Sequence, residues 1–328
     1  MTLEDLRTFT AVCAAGSLSA AAHTLSKSQP AVSQHVARLE AELGIALLER
    51  RARGVVPTAA GTALCESALR ALAELALARR TIEALRSGST GALSIATGGT
   101  TLKHFMCGAL ARFRAEHPDV AVRFTQGRST ADCIDALRLG RVDLGFVTMQ
   151  PEVQDIEQRP ALLMDYALLL DARHELARRP RVALADLRGL ELIGLPVSSS
   201  GFSSLRQSLA AHGIVPNTTT TVDDWDLCSV LVTLGLGSAI VPAFHAHELV
   251  RQGAVAAVPI DGLEALAVGW VARKFTSLSP AASAFIQLLT QDLQATDRLG
   301  VRVVDPAAHG RAPRGIRHGN KRTKMRAR

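Results

Sequence analysis

The sequence predicts an α/β protein with a small helical unit in front. Three observations carry this reading. Residues 1–57 read as short helices interrupted at "AAGS", "SKS" and "ARGVVP". Residues 58–86 hold one helical pattern without an internal proline. From Ala92 to about Leu293, strand-like and helix-like segments alternate, as in α/β units built on parallel-rich sheets.

Composition sets the outer limits. A chain of 328 residues has room for two or three domains, and 48% hydrophobic with 20% charged residues describes a soluble, folded chain. No apolar run reaches the ~18 residues of a membrane span. The start, "MTLEDLRTFTAV", places two acids before its apolar residues, unlike a secretory leader, so a cytoplasmic protein is expected. Cys13, Cys65, Cys107, Cys133 and Cys228 are odd in number and far apart, which indicates neither a disulfide framework nor a zinc site. Net charge is +7, but Pro306–Arg328 holds eight Lys/Arg and no acid, so the remainder sums to −1. The basic balance belongs to a tail and does not by itself make the folded body a nucleic-acid binder.

In the first unit, Leu6, Phe9, Thr10, Val12 and Cys13 give helix one an inward face, and Gly16 ends it. Ser17 or Ser19 can cap helix two, whose Ala21, Ala22 and Leu25 are slim enough for a close crossing. "SKS" is a short polar turn, and Ser28 can cap helix three with Gln29 and Pro30 in its first turn. Val32, Val36 and Leu39 are its buried face. Two short helices, a three-residue turn and an alanine crossing describe a helix-turn-helix. Its second helix would present Gln29, Ser33, Gln34 and Arg38 to base edges, with Pro30 and Ala31 as apolar contacts. Lys27 and the helix start at Ser28 suit a phosphate. "GIALLERRARGVVPT" would fold back as a wing, with Arg50, Arg51 and Arg53 set for backbone or minor-groove contact. Ala-rich helices and arginine clusters also occur as plain solvated surface, and spacing alone leaves both readings open.

These residues carry a family resemblance. "LRTFTAVCAAGSLSAAAHTLSKSQPAVSQHVARLEAELGIALLERRARGVVPTAAG" resembles the N-terminal domain of LysR-type transcriptional regulators, including "SQPAVS", "LE-ELG" and "R-RGV-PT-AG". One departure is Leu48, where the family often has Phe. The resemblance implies a winged helix-turn-helix (1–58), a linker and dimerisation helix with hinge (59–90), and an effector domain (91–296) that is two-lobed and like periplasmic binding proteins. Lobe I would be 91–164 with 267–296, and lobe II 165–266. A basic, irregular tail, 297–328, is not a family feature and is expected to be disordered.

The linker helix, capped by Thr58 after Pro57, repeats apolar residues at Leu64, Leu69, Leu72, Ala76, Ile82 and Leu85. Two copies pairing antiparallel would bury that stripe in a homodimer, or in a homotetramer built from dimers. "SGSTG" then breaks the helix.

In the effector domain, loops after strands should face a cleft between lobes. "ATGGTTL" offers Thr100 and Thr101, "QGRST" offers Arg128, Ser129 and Thr130, and Thr148 ends the third strand. "LPVSSSGF" supplies Ser198, Ser199 and Ser200, and Trp225 in "DDWDL" could stack on a ligand. The same hydroxyls serve as helix caps, and Trp225 as core filling; their convergence on one cleft favours a small polar or anionic effector. By resemblance, the ligand contacts fall at Thr100, at Ser129 or Thr130, and in the Ser198–Gly201 loop.

Catalysis has little support. GxSxG and HExxH are missing, and "TGGTT" lacks a phosphate-loop lysine. His245 and His247 in "PAFHAHEL", beside Glu248, have the spacing of a metal pair, but histidines at a helix start are more often structural, so no metal or other cofactor is assigned. Cys228 has no resolving partner for redox sensing. The expected function is a DNA-binding transcriptional regulator, not an enzyme and not membrane-bound, whose grip on promoter DNA responds to an effector in the cleft. The alternative is a cytoplasmic small-molecule-binding protein or enzyme whose N-terminal unit only mediates assembly.

Overall fold

Three short helices open the chain: α1 (Leu3–Ala15), α2 (Leu18–Thr24) and α3 (Gln29–Leu43). The computed structural model describes residues 1–51, 54–86, 91–250 and 255–304, so Arg53, the 87–90 linker and everything from residue 305 lie outside the described residues. Hydroxyl side chains start all three helices. Thr2 and Asp5 form a reciprocal capping box on α1, Ser17 Oγ accepts from the Ala20 N–H at 3.3 Å, and Ser28 Oγ accepts from Ala31 at 3.4 Å. Leu6, Phe9 and Val12 pack with Ala21, Ala22, Val32, Val36 and Leu39 in one core. The two alanines are buried where the helices cross.

The hairpin of β1 (Leu48–Arg51) and β2 (Gly54–Pro57) hangs from this unit. Glu40 Oε1 on α3 accepts from the Leu47 N–H at 2.8 Å and the Leu48 N–H at 3.2 Å. The Val55 N–H donates to the Gly16 carbonyl at 2.9 Å. Gly54, at φ +124°, makes that approach possible, since a Cβ there would lie 2.3 Å from the Gly16 oxygen. Leu48 packs half-buried on the helical core, so the smaller side chain still fills the wing root.

Helix α4 (Ala59–Arg86) follows, with the Gly61 N–H donating to Thr58 Oγ1 at 3.0 Å. Its N-terminal half packs Leu64, Ala68 and Leu72 on the helical core. Its own chain leaves Leu75 and Ile82 exposed, at 43% and 65%.

Two sheets build the rest. The first has six strands, in the spatial order β13 (Val301–Val303), β6 (Glu157–Met164), β12 (Leu266–Ala272), β5 (Leu144–Thr148), β3 (Gly91–Thr97) and β4 (Val120–Gln126). β3 pairs parallel with β4 and β5, as α/β alternation requires, while β12 runs antiparallel to β5 and β6. The second sheet sets β7 (Tyr166–Asp171) between β10 (Ala239–Pro242) and β11 (Val255–Pro259), all antiparallel. The parallel pair β8 (Glu191–Gly194) and β9 (Asn217–Thr221) joins it through a bridge from Leu192 to Ser238. Helices α6 (Cys107–Glu116), α7 (Thr130–Arg138) and α11 (Pro280–Ala295) flank the first sheet, and α8 (Ser200–Ala211), α9 (Trp225–Thr233) and α10 (Ala243–Val250) belong with the second. The main chain passes between the sheets at Asp165 and again between β11 and β12, which leaves two lobes. Among the described residues, no helix is long and apolar enough to cross a membrane.

Three elements differ from a plain reading of the sequence. The helical pattern "TLKHFMCGALARFRAEH", 101–117, is not one helix: the chain forms α5 (Gly99–Thr101), a π-helical turn at Leu102–Met106, and α6. Residues 301–303, assigned to a disordered tail from 297, form β13 on the outer edge of β6. The Val304 N–H donates to the Ala161 carbonyl at 2.8 Å, and three residues are too few to show a period. β6 itself escaped sequence reading because Pro160 interrupts it. The proline is tolerated where the β6–β12 register slips at Val268/Gly269.

That slip depends on Gly269, where a Cβ would stand 2.2 Å from the Arg159 carbonyl oxygen. Gly269→Ala is therefore expected to destabilise the effector domain by about 1–3 kcal/mol, through backbone overpacking. A lower denaturant midpoint at unchanged slope would show it, and an unchanged midpoint would refute it.

Candidate DNA-binding face and effector cleft

The first turn of α3 stands out from the helical unit. Ser28, Gln29, Pro30 and Gln34 are exposed, and Ser33 is half-buried beside them. Arg50 and Arg51 are exposed on the hairpin, where Arg51 pairs with Glu49 at 2.8 Å. Arg53, the third arginine of the expected wing contact, lies outside the described residues.

Two of the expected contact residues already have protein partners. Arg38 donates from Nε to Asp5 Oδ1 at 3.0 Å, and from Nη2 to the same oxygen. Lys27 Nζ reaches Glu4 Oε1 at 2.5 Å. Asp5 is fully buried in α1 and also takes His35 Nδ1 at 2.8 Å. Burial pushes its carboxyl pKa up. Hydrogen bonds from His35, Thr2 and Arg38 outweigh that and hold it well below the usual carboxylate range. The carboxylate thus clamps α3 against α1 from behind the exposed turn.

The second concave feature is a cavity of about 760 Å³ between the two sheets. The loop after β3 brings Thr100 and Thr101 to it, and the loop after β4 brings Arg128, Ser129 and Thr130. Thr148 comes from the end of β5. From the second sheet come Ser198, Ser199 and Ser200, with Trp225 at the start of α9. The ten residues therefore line one cavity, though their side chains have different partners. Ser129 Oγ caps α7 by accepting from Asp132 N–H at 3.1 Å, as the plainer reading allowed. Thr130 Oγ1 donates to the Thr148 carbonyl at 3.2 Å. The Thr130 N–H crosses to Ser200 Oγ at 3.0 Å. Thr100 Oγ1 crosses in the other direction to Asp226 Oδ2 at 3.3 Å. Ser199 makes no side-chain cap bond on α8, so its hydroxyl is available. Arg128 is 94% exposed, at the mouth of the cavity. Trp225 is buried edge-on to Phe202, with ring centroids 6.5 Å apart.

Comparison with known proteins decides the family. The family model for the lysR-family bacterial regulatory helix-turn-helix protein matches residues 3–62, and that for the LysR substrate binding domain matches residues 86–294. The chain belongs to the LysR family. LysR-type regulators similar to it include CysB of Haemophilus influenzae, 31% identical over 229 residues, with 69% of this chain and 70% of that protein covered. ClcR of Pseudomonas putida is 31% identical over 276 residues, covering 80% and 92%. Among solved structures, CbnR complexed with its target DNA matches at 29% identity and TM-score 0.51, covering 89% of this chain and 99% of that one. A hydrogen-peroxide-bound mutant of OxyR from Corynebacterium glutamicum matches at 26% identity and TM-score 0.57, covering 90% and 93%. The reading as an enzyme with a mere assembly unit gives way to this family assignment.

Sequence reading of this LysR-type protein missed several cleft residues. Phe105, Gln126, Phe244 and Leu266 line the cavity, and only Gln126, ending β4 beside the loop already singled out, had a local signal. Asp226, next to Trp225 in "DDWDL", accepts from Thr100 and Lys103 of the other lobe, and no local signal in the sequence marks that bridge. His245, whose spacing from His247 is set aside as a metal pair, has its Nδ1 facing Asp226 Oδ1 at 4.0 Å, and the side chains of His247 and Glu248 lie outside the described residues. Cys133 lines the cavity, but burial pushes its thiol up to about 11. Burial likewise pushes Cys228 up to about 12, so neither is a thiolate at neutral pH.

Asp5 yields a pH prediction. A carboxylate whose folded pKa lies below its ordinary 3.8 adds stability that is fully present above that value and is lost as pH falls towards the folded value. Denaturant unfolding should show helical-unit stability falling through this acid range in the parent protein. Asp5→Asn should lower stability at neutral pH and flatten that acid loss; an equally steep loss in the variant would contradict the role.

Proposed function

We propose that this LysR-type regulator grips promoter DNA with the exposed first turn of α3 and the arginine hairpin, and that a small ligand in the interlobe cavity changes that grip. The observation that carries the reading is the Asp5 clamp. A buried carboxylate fixes α3 from behind, so Gln29, Ser33 and Gln34 project from a rigid base. Glutamine can pair bidentately with adenine, and Pro30 can meet a thymine methyl. Ser28 and Lys27 stand at the helix start, where a phosphate would approach, and Arg50 and Arg51 follow on the hairpin, with Arg53 next to them in sequence. Arg38 serves as a positioning residue first, with half of its side chain still exposed for the backbone.

The cavity suits a small molecule with a polar or anionic group against the serine and threonine loops and an apolar part against Phe105, Trp225 and Leu266. Its walls come from both lobes, so a ligand touching both has a differential affinity for the open and closed arrangements. Leu75 and Ile82 on α4 support pairing with a second copy, which would set two reading heads on one duplex as a homodimer or homotetramer.

A gel-shift with the gene's own upstream DNA tests the DNA face. Gln29→Ala should cost about 1–3 kcal/mol on that DNA and relax base preference. Arg50→Ala should weaken binding across all sequences and reduce the salt slope by about 1. Parent-like affinity and slope in both folded variants would reject the assigned face.

A further inference from the structure

His104, Asp226 and His245 meet beside Phe244, a residue of the cavity wall, whose ring centroid lies 5.3 Å from that of His104 and 6.2 Å from that of His245. His104 comes from the π-helical turn of the first lobe, and the other two from α9 and α10 of the second. His104 Nε2 lies 3.7 Å, and His245 Nδ1 4.0 Å, from the same oxygen, Asp226 Oδ1. The donor atoms of all three residues lie within 4.8 Å of one another. Both imidazoles are largely shielded, at 9% and 4% side-chain exposure, while Asp226 keeps 32% and a path to solvent.

The tautomer of His245 follows from its neighbours. Its Nε2 lies 3.2 Å from the Trp225 carbonyl and 2.8 Å from Ser229 Oγ. Ser229 Oγ donates its own proton to that carbonyl at 2.9 Å. A carbonyl only accepts, so with Ser229 donating to it, Nε2 carries the ring hydrogen. Nδ1 of the neutral ring is then a buried lone pair without a hydrogen-bond partner, and it faces a carboxylate oxygen. Two electron donors aimed at each other call for a positive centre between them. A ring N–H fixed on a backbone carbonyl is also the usual outer support of a metal-bound histidine.

We propose that His104, Asp226 and His245 form a site for a divalent first-row transition ion that ties the two lobes at the cavity wall. Two imidazoles and one carboxylate suit Zn²⁺ or Co²⁺ rather than Mg²⁺ or Ca²⁺, with water completing the shell. Zinc bonds of about 2.0–2.2 Å place neighbouring ligand atoms about 3.4 Å apart in a tetrahedral shell, so small rotations of His104 and Asp226 close the present gaps. Lys103 Nζ now sits 2.8 Å from Asp226 Oδ1. Its side chain is 60% exposed on a flexible stem, so an arriving ion displaces the ammonium into solvent. The π turn is what brings His104 round to Asp226, and wide turns of this kind recur at functional sites.

The test is a Co²⁺ titration of the reduced full-length protein, followed by absorption. One equivalent per chain should give visible ligand-field bands without thiolate charge transfer in the near ultraviolet, reversed by Zn²⁺ and not by Mg²⁺. His104→Gln and Asp226→Asn should each weaken binding at least tenfold while melting curves confirm folding. Lys103→Met should tighten it severalfold by removing the competing ammonium. A thiolate spectrum, no binding, or parent-like affinity in His104→Gln, Asp226→Asn and Lys103→Met would overturn the proposal.

Discussion

The seam between the two sheets of the effector domain is held by few polar contacts, and the ligand response rests on that. The main chain crosses between sheets at Asp165 and after β11. Across the cavity, Thr130 N–H meets Ser200 Oγ, and Thr100 and Lys103 meet Asp226. Each such bond contributes about 0.5–1.5 kcal/mol, and less where water competes. A small ligand touching both walls supplies differential energy of the same order, so it can set which arrangement dominates. The aromatic and aliphatic side chains behind the seam form a continuous core through both lobes.

At the other end of the chain the design is the reverse. The helical unit has a core of its own, and beside it a single buried carboxylate collects Thr2, His35 and Arg38. An acid in that position is costly to bury and costly to leave unpaired, so it specifies one orientation of α3 on α1. The α4 helix links the two behaviours. It packs on the helical core through Leu64 and Leu72, and meets the effector domain through Glu74 with Arg273 at 3.0 Å and Glu66 with Gln154 at 3.1 Å. In the proposed function, α4 is the path by which a shift in the lobes reaches the reading head.

Much of this was legible in local sequence. Ser28 followed by Gln29 and Pro30 announces a helix start, the alanine pair a close crossing, and the Ser/Thr loops after strands a cleft. What stayed hidden depends on contacts far apart in the chain. Nothing near Arg38 reveals that Asp5, on another helix, will claim its guanidinium. Nothing near His104 reveals Asp226 and His245, which only the folding of two lobes brings to it. β6 was masked by Pro160, whose tolerance depends on a bulge opposite Gly269, and β13 by its brevity. Periodicity reports which face of an element is buried, not which polar groups meet across a seam.

Communication between the seam and the DNA-binding face is tested most directly by a nuclease footprint. The full-length Ser200→Ala protein is placed on the gene's own upstream DNA, beside the parent at equal occupancy. Removing the hydroxyl that accepts the Thr130 N–H alters no residue of the reading head. The predicted result is a changed footprint, in length or in hypersensitive positions, at retained binding. A footprint identical to the parent's would contradict that communication.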